Sequence, residues 1–211
     1  MRQAATKAEK KRRTASKEER KAQLIKATMR SIAKRGLSVT TMATVAKEAG
    51  LSQGIINLHF QSKERLLEET LHFVVDEYRA TWYDALENSG DSAVEKLSAL
   101  VQVDFGKRIC QPHKLAVWFA FWGESRSRPT YRKICADQDK EYRLSVARYC
   151  EDIIRQGNYS TRADYVAFTL SAITQGLWLD MLLNPTELSS DQACEISMAY
   201  LQDVFPGHFG G

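Results

Sequence analysis

Apolar positions recur at spacings of three and four along most of the chain. Nowhere do apolar and polar residues alternate over a run long enough to make a strand between turn clusters. Leu24, Ile25, Thr28, Met29, Ile32 and Ala33 fall on one face of a helix, and Gly36 follows its last turn, where a left-handed glycine belongs. Thr40 or Thr41 can cap a helix running to about Glu48, Ala49-Gly50-Leu51 makes a tight turn, and Ser52 can cap a second short helix ending near Phe60. Ser62 can cap a long helix carrying Leu66, Leu67, Leu71, Phe73, Val74 and Tyr78. Further helices are expected at 92–108, 112–125, 128–155, 161–184 and 189–204, separated by Gly-, Pro- and Asn-containing breaks. Pro129 and Asp191 stand near helix starts, where each is favourable. The expected fold class is all-α: an N-terminal three-helix helix-turn-helix head on a larger helical body, with no internal repeat.

Composition narrows the class. With 211 residues, 44% hydrophobic and 27% charged, the chain is neither disordered nor fibrous. The longest stretch without a charge, Tyr165 to Leu179, is shorter than the roughly 20 apolar residues that a membrane-spanning helix needs. The basic N-terminus has no apolar segment behind it, so no secretory signal is expected. Cys110, Cys135, Cys150 and Cys194 contain no CxxC pair and suit neither a zinc site nor a disulfide scaffold. These features point to a soluble cytoplasmic protein without metal or cofactor. The net charge of +4 conceals an asymmetry: residues 1–69 hold 16 Lys and Arg against 7 Asp and Glu, whereas residues 70–211 hold 14 against 19. A basic third on an acidic remainder points to a polyanion gripped at one end. Lys10-Lys11-Arg12-Arg13 lies in a low-complexity segment, read as a disordered arm over residues 1–16.

A helix, a short glycine turn and a second short helix form the arrangement in which the second helix enters the major groove. Val45, Ala46 and Ala49 are small enough for two short helices to cross closely, and Gly50 supplies the turn. Gln53, Gly54, Ile55 and Asn57 are then expected on the groove-facing side: Gln and Asn bond adenine edges, and Ile55 offers an apolar contact to a thymine methyl. Thr40, Thr41, Ser52, His59 and Lys63 complete the expected DNA contacts, with His59, Lys63 and the free N–H groups near Ser62 suited to phosphates.

Ala49-Gly50-Leu51-Ser52-x-Gly54, followed by His59-Phe60-x-Ser62-Lys63-Glu64-x-Leu66-Leu67, resembles the DNA-binding head of TetR-family repressors over roughly residues 20–67. The chain departs from that pattern at Asn57, where the family usually has tyrosine, and at Leu58, where an aromatic is common. A phosphate-contacting hydroxyl is missing there. The resemblance implies a DNA-binding domain at 17–67 and an effector-binding and dimerisation domain at 68–211.

In the body, Trp118 and Trp122 lie one turn apart beside Leu115 and Phe119, and Trp178 follows Gly176-Leu177. Such a stripe reads either as core packing or as an aromatic cage for a quaternary ammonium. For the cage, the expected lining is Phe105, Trp118, Phe121, Trp122, Tyr142 and Trp178 with the carboxylates Asp104 and Glu124; Asp180 could also contribute. Trp118-x-Ala120-Phe121-Trp122, Pro129, Gly176-Leu177-Trp178-Leu179 and the closing helix with Ala193, Ile196 and Tyr200-Leu201 resemble the choline-responsive, BetI-type repressors of the family. That subgroup often carries an acid where this chain has Gln175, and this chain has an extra acid at Asp104. The implied effector is choline, a related amine or another small molecule, and the implied targets are genes of glycine betaine synthesis. A sensor of aromatic or amphipathic toxic compounds controlling efflux or degradation genes is the alternative.

The segment Val166 to Leu183 is apolar around most of its circumference, as in a helix covered on all sides. Phe168, Ile173, Leu177 and Leu182, with Ala193, Ile196 and Tyr200 of the closing helix, are expected to meet a second copy in a twofold interface. Twofold symmetry predicts a palindromic double-stranded operator. Two other classes compete: an enzyme built on Cys110-Gln-Pro-His113, which lacks a further partner at recognisable spacing, and a non-specific nucleic-acid clamp.

Overall fold

A computed structural model describes residues 16–209; the expected basic arm lies outside them, apart from Ser16. Ten helices and no strand are found among the described residues: α1 (Lys17–Arg35), α2 (Met42–Ala49), α3 (Gln53–His59), α4 (Lys63–Asn88), α5 (Ala93–Asp104), α6 (Pro112–Glu124), α7 (Pro129–Gly157), α8 (Ala163–Leu183), α9 (Ser190–Val204) and α10 (Pro206–Phe209).

Local sequence explains most boundaries. Ser16 with Glu19, Thr41 with Thr44, Ser92 with Glu95, and Ser189 with Gln192 form reciprocal capping pairs that satisfy the first free N–H groups of α1, α2, α5 and α9. Pro112 and Pro129 begin α6 and α7, where a missing N–H costs nothing. Asn158 ends α7 in the left-handed conformation (φ 50°, ψ 43°). Gly36 also has positive φ (86°), but its ψ of 164° is extended rather than αL.

Two further expectations fail here. The helix expected over 92–108 stops at Asp104, because the chain turns at Gly106: its N–H donates to Val103 O, and its carbonyl accepts from Ile109 and Cys110. Ser52 occupies the N-cap position of α3, but its hydroxyl makes no capping bond.

Buried side chains from Leu24 in α1 to Phe205 after α9 form one contiguous core. The expected division at residue 67 falls inside α4, which runs unbroken from the head into the body. Helix α1 packs on α2, α4 and α6, so it touches both. Helix α8 is 21 residues long, and its most apolar stretch has a mean hydropathy of 1.4, a length and apolarity that a membrane span also shows. Here it packs against α6, α7 and α9.

Candidate functional site

The head is assembled around α2. Val45 and Ala46 are buried, and the Thr41–Thr44 pair caps the first turn (Thr41 N to Thr44 Oγ1 2.8 Å, Thr44 N to Thr41 Oγ1 3.1 Å). Gly50 takes the αL conformation (φ 66°, ψ 33°) that closes the turn into α3. Glu48 accepts from Lys34 (2.9 Å) and Arg30 (3.1 Å), binding α2 to α1, and these cations, Lys34 first, hold its carboxyl below the usual range. Gln23 Nε2 donates to Ala49 O at 3.0 Å and fixes the end of α2.

Helix α3 is anchored by the fully buried Ile56 and leaves Gln53, Gly54, Asn57 and Leu58 exposed, with Ile55 half-buried. A Cβ at Gly54 would meet only Ser52 Oγ, at 3.8 Å, so packing within the chain does not require glycine there. The structure places other expected DNA contacts differently. Thr40 is 1% exposed and donates to Gly36 O at 2.8 Å, so it faces inward. Thr41 is exposed, but its hydroxyl serves the cap of α2. Lys63 directs its ammonium to Ser38 O (3.1 Å) across the head. His59 is half-buried, and its Nδ1 has no partner among the described residues.

A second constellation lies in the body. Asp104 is 0% exposed at the end of α5. Its Oδ1 accepts from Tyr78 OH on α4 (2.7 Å) and its Oδ2 from Tyr142 OH on α7 (2.5 Å). Its carbonyl accepts from Trp178 Nε1 on α8 (2.9 Å) and from Cys110 Sγ (3.2 Å). Tyr78 meets Trp118 and Trp178 edge-on, with centroids 5.9 and 5.8 Å apart, and Trp122 lies 5.8 Å beyond Trp118. These side chains line a cavity of about 20 Å³ together with Gln138, Asp139, Ser171, Thr174 and Gln175.

Burial pushes the Asp104 carboxyl up to about 7, against the opposing pull of the Tyr142 and Tyr78 hydroxyls. Burial, reinforced by the Asp104 charge, holds both tyrosines well above their ordinary range, so they remain donors. Asp139 is also raised by burial, with Arg143 opposing. Four aromatic rings, Tyr142 and the carboxyls of Asp104 and Asp139 thus share one cavity wall, with no Lys, Arg or His among the lining residues.

Of the expected cage residues, Asp104, Trp118, Trp122, Tyr142 and Trp178 converge, whereas Phe105, Phe121 and Glu124 do not line the cavity. Phe105 is a buried residue that ends α5, and Phe121 packs edge-on against Tyr131 (5.1 Å). Glu124 accepts from the Ser127 hydroxyl at 3.1 Å. Asp180, one turn from the end of α8, accepts from Asn184 at 2.8 Å. Sequence reasoning missed Tyr78, Gln138, Asp139, Ser171 and Thr174. The thiol–histidine reading of Cys110 and His113 meets a direct obstacle: burial pushes the Cys110 thiol up to about 12, and its Sγ donates to a carbonyl.

On the outside of the body, Tyr165, Phe168, Leu179 and Leu183 stand exposed along one face of α8, Phe168 at 64% and Leu183 at 66%, with Ile196 exposed on α9. Ile173, Leu177, Leu182 and Tyr200 are half-buried. Ala193 is 0% exposed and packs inside the chain, so it cannot meet a second copy.

Residues 24–70 match the family described as bacterial regulatory proteins, tetR family, and residues 93–206 match the BetI-type transcriptional repressor C-terminal domain. The HTH-type transcriptional regulator BetI of Burkholderia thailandensis is 32% identical over 88% of this chain and 93% of its own length. That of Burkholderia mallei is 31% identical over 89% and 94%. A transcriptional regulator from Pseudomonas aeruginosa PAO1 superposes with a TM-score of 0.81 at 28% identity, covering 93% of this chain and 95% of its own. A regulator from Saccharomonospora viridis, solved in complex with choline, superposes with a TM-score of 0.78 at 25% identity, covering 88% and 96%.

Proposed function

Because the chain belongs to the TetR family of bacterial regulatory proteins and carries the C-terminal domain of the BetI-type repressors, we propose that it is a cytoplasmic homodimer that represses genes of glycine betaine synthesis until choline or a related quaternary amine binds its body. Regulators of this family bind DNA operators, dimerise and respond to small molecules; they are not enzymes. The observation that carries the effector assignment is Asp104, a fully buried carboxylate among aromatic faces with no cation beside it. A quaternary ammonium supplies the missing charge and meets the rings through cation–π attraction. A neutral aromatic compound would draw nothing from the ionised carboxyl, and burial would favour its protonated form, so the buried acid favours a cationic ligand over a neutral one. The choline bound to the Saccharomonospora viridis regulator supports the same class of ligand.

The head, residues 17–67, presents Gln53, Gly54, Ile55 and Asn57 to a major groove, and Gly54 lets the DNA backbone or a base edge approach closely. Ser52 and His59 stand at the two ends of α3, where phosphates would lie. Two heads on a twofold axis read a palindromic operator. The cavity of about 20 Å³ has room for about one water molecule, for which about 10–15 Å³ suffices, so an effector the size of choline must widen it. Helix α6 carries Trp118 and Trp122 and packs on α1 of the head. Widening the cage therefore shifts the head, and effector and operator oppose each other reciprocally.

Fluorescence anisotropy on DNA from directly upstream of the gene, with excess random competitor, tests this. Tight binding that millimolar choline weakens is expected; tight binding indifferent to choline would remove the effector assignment and keep the repressor. A Gln53→Ala variant is expected to lose about 1–3 kcal/mol of preference for the operator while keeping its affinity for random DNA. Equal loss on both DNAs would take base reading away from Gln53.

A further inference from the structure

Among the residues lining the cage, two carry polar groups that no other described residue satisfies. Gln138 is 2% exposed, and neither Nε2 nor Oε1 of its carboxamide has a hydrogen-bond partner. Thr174 is 4% exposed, and its Oγ1 also lacks one. The three other buried helical threonines turn back on their own helix: Thr28, Thr70 and Thr81 donate to the carbonyl four residues earlier at 2.9, 2.7 and 2.6 Å. Thr174 makes no such bond, although Leu170 precedes it by one turn. Burying a carboxamide and a hydroxyl without partners is costly, and both belong to the cavity wall.

Each sits one turn before a cage aromatic on its own helix, Gln138 before Tyr142 on α7 and Thr174 before Trp178 on α8. The rings and Asp104 account for a cationic group. They leave unexplained why donors and acceptors line the same space. The wall holds two carboxylates, Asp104 and Asp139, and no Lys, Arg or His. An anionic group on the ligand would thus meet repulsion and find no counter-charge.

We infer that Gln138 and Thr174 read a second, neutral polar group on the effector, so that the cage selects a hydroxyl-bearing quaternary ammonium over both a bare tetraalkylammonium and a zwitterion ending in a carboxylate. This rests on the cation-cage reading above and adds to it the chemistry of the ligand's other end.

The test is a calorimetric titration of the full-length protein with choline, tetramethylammonium and glycine betaine. The wild type is expected to bind choline at least about tenfold more tightly than tetramethylammonium, with glycine betaine weaker still. In Gln138→Leu and Thr174→Val the choline preference is expected to collapse toward unity, chiefly through lost choline affinity. Replacement of Gln138 by Leu is also expected to raise Tm without ligand, since a polar orphan is removed; a glutamine kept for packing would lower it.

Equal wild-type affinity for choline and tetramethylammonium, as when a bridging water satisfies Gln138 and Thr174, would overturn this inference and leave the cation cage standing. A choline preference that survives in both variants would overturn it as well. Tight binding of glycine betaine would remove the discrimination against a carboxylate. Failure of every cation to bind would sink the cage itself and this inference with it.

Discussion

Asp104→Asn is expected to weaken choline binding about a hundredfold at pH 8, while affinity for the operator without choline stays within about twofold of wild type. A unit charge about 5 Å from the carboxylate is worth roughly 3 kcal/mol at an effective dielectric constant near 20, which sets the scale. Asparagine keeps an acceptor for one of the two tyrosine hydroxyls and changes volume little, so the loss is electrostatic rather than steric. The same carboxyl gives a pH signature. Its pKa rises from 3.8 to about 7 on folding, so between those values the folded chain holds a proton that the unfolded chain has released. The stability from that proton is complete below about 4 and is lost as pH rises through about 7. The ligand-free wild type is therefore expected to lose Tm over this range, and the asparagine variant to escape that loss.

Cation binding runs the other way. Choline favours the ionised carboxylate, so its affinity falls as pH drops below about 7, approaching tenfold per unit. Asp139 shares the cavity wall and is also raised by burial, so it broadens the transition. Tyr78 and Tyr142, held well above their ordinary range, do not titrate there. Titrations at pH 6 and pH 8 on both proteins check these points. An asparagine variant that answers choline at wild-type concentrations would remove Asp104 from cation recognition.

The other large effect concerns assembly. Phe168→Glu combined with Leu183→Glu is expected to yield a monomer and to lower operator affinity at least about a thousandfold. Both side chains are mostly exposed in the isolated chain, so charge at these positions costs little fold stability. Each lies on the apolar face of α8 that Tyr165 and Leu179 share, with Ile196 of α9 nearby in sequence order. Paired with a second copy, that face would bring four like charges together in a desolvated seam. Loss of one head removes the effective concentration that makes the second half-site contact nearly free. Light scattering and anisotropy on the same samples separate the two steps. A dimer that persists with full affinity would move the interface elsewhere.

Much of this architecture was legible in the chain. Helix starts at Pro112, Pro129 and Ser189, the turn at Gly50 and the stop at Asn158 follow from residue chemistry acting over three or four positions. The head was legible because its spacing is local. The cage was only half legible, because its members come together across 26 to 74 residues of sequence: Tyr78 and Trp178 converge on Asp104 from opposite directions along the chain. Tyr78 read as one more core position of α4. Phe105, Phe121 and Glu124 looked equivalent to the true lining residues because one sequence cannot say which aromatic faces a void and which faces a neighbour.

A signal for Gln138 was nevertheless present. The buried stripe of α7 is Tyr131, Cys135, Gln138, Tyr142, Val146, Cys150 and Ile153, at spacings of three and four. A glutamine in such a register is a polar group sent to the core. Thr174 interrupts the buried face of α8 in the same way, between Leu170 and Trp178. Thr40 was misassigned for the opposite reason: its neighbour Thr41 takes the cap, and the flanking turn folds the Thr40 hydroxyl back onto Gly36.

The unbroken course of α4 bears on how such proteins diversify. The two matched family segments end at residue 70 and resume at 93, and the interval between them holds the second half of α4 and Tyr78. Exchange of heads among relatives by recombination near residue 70 would carry Tyr78 along with Asp104 and leave the cage whole, provided the splice keeps helical phase. A single inserted residue between Lys63 and Tyr78 would turn the head by about 100° relative to the body, whereas seven would restore its bearing to within about 20°. Length changes at this joint should therefore accumulate in steps near whole turns, and the helix acts as a ruler on which lineages can mix operator specificity and effector specificity.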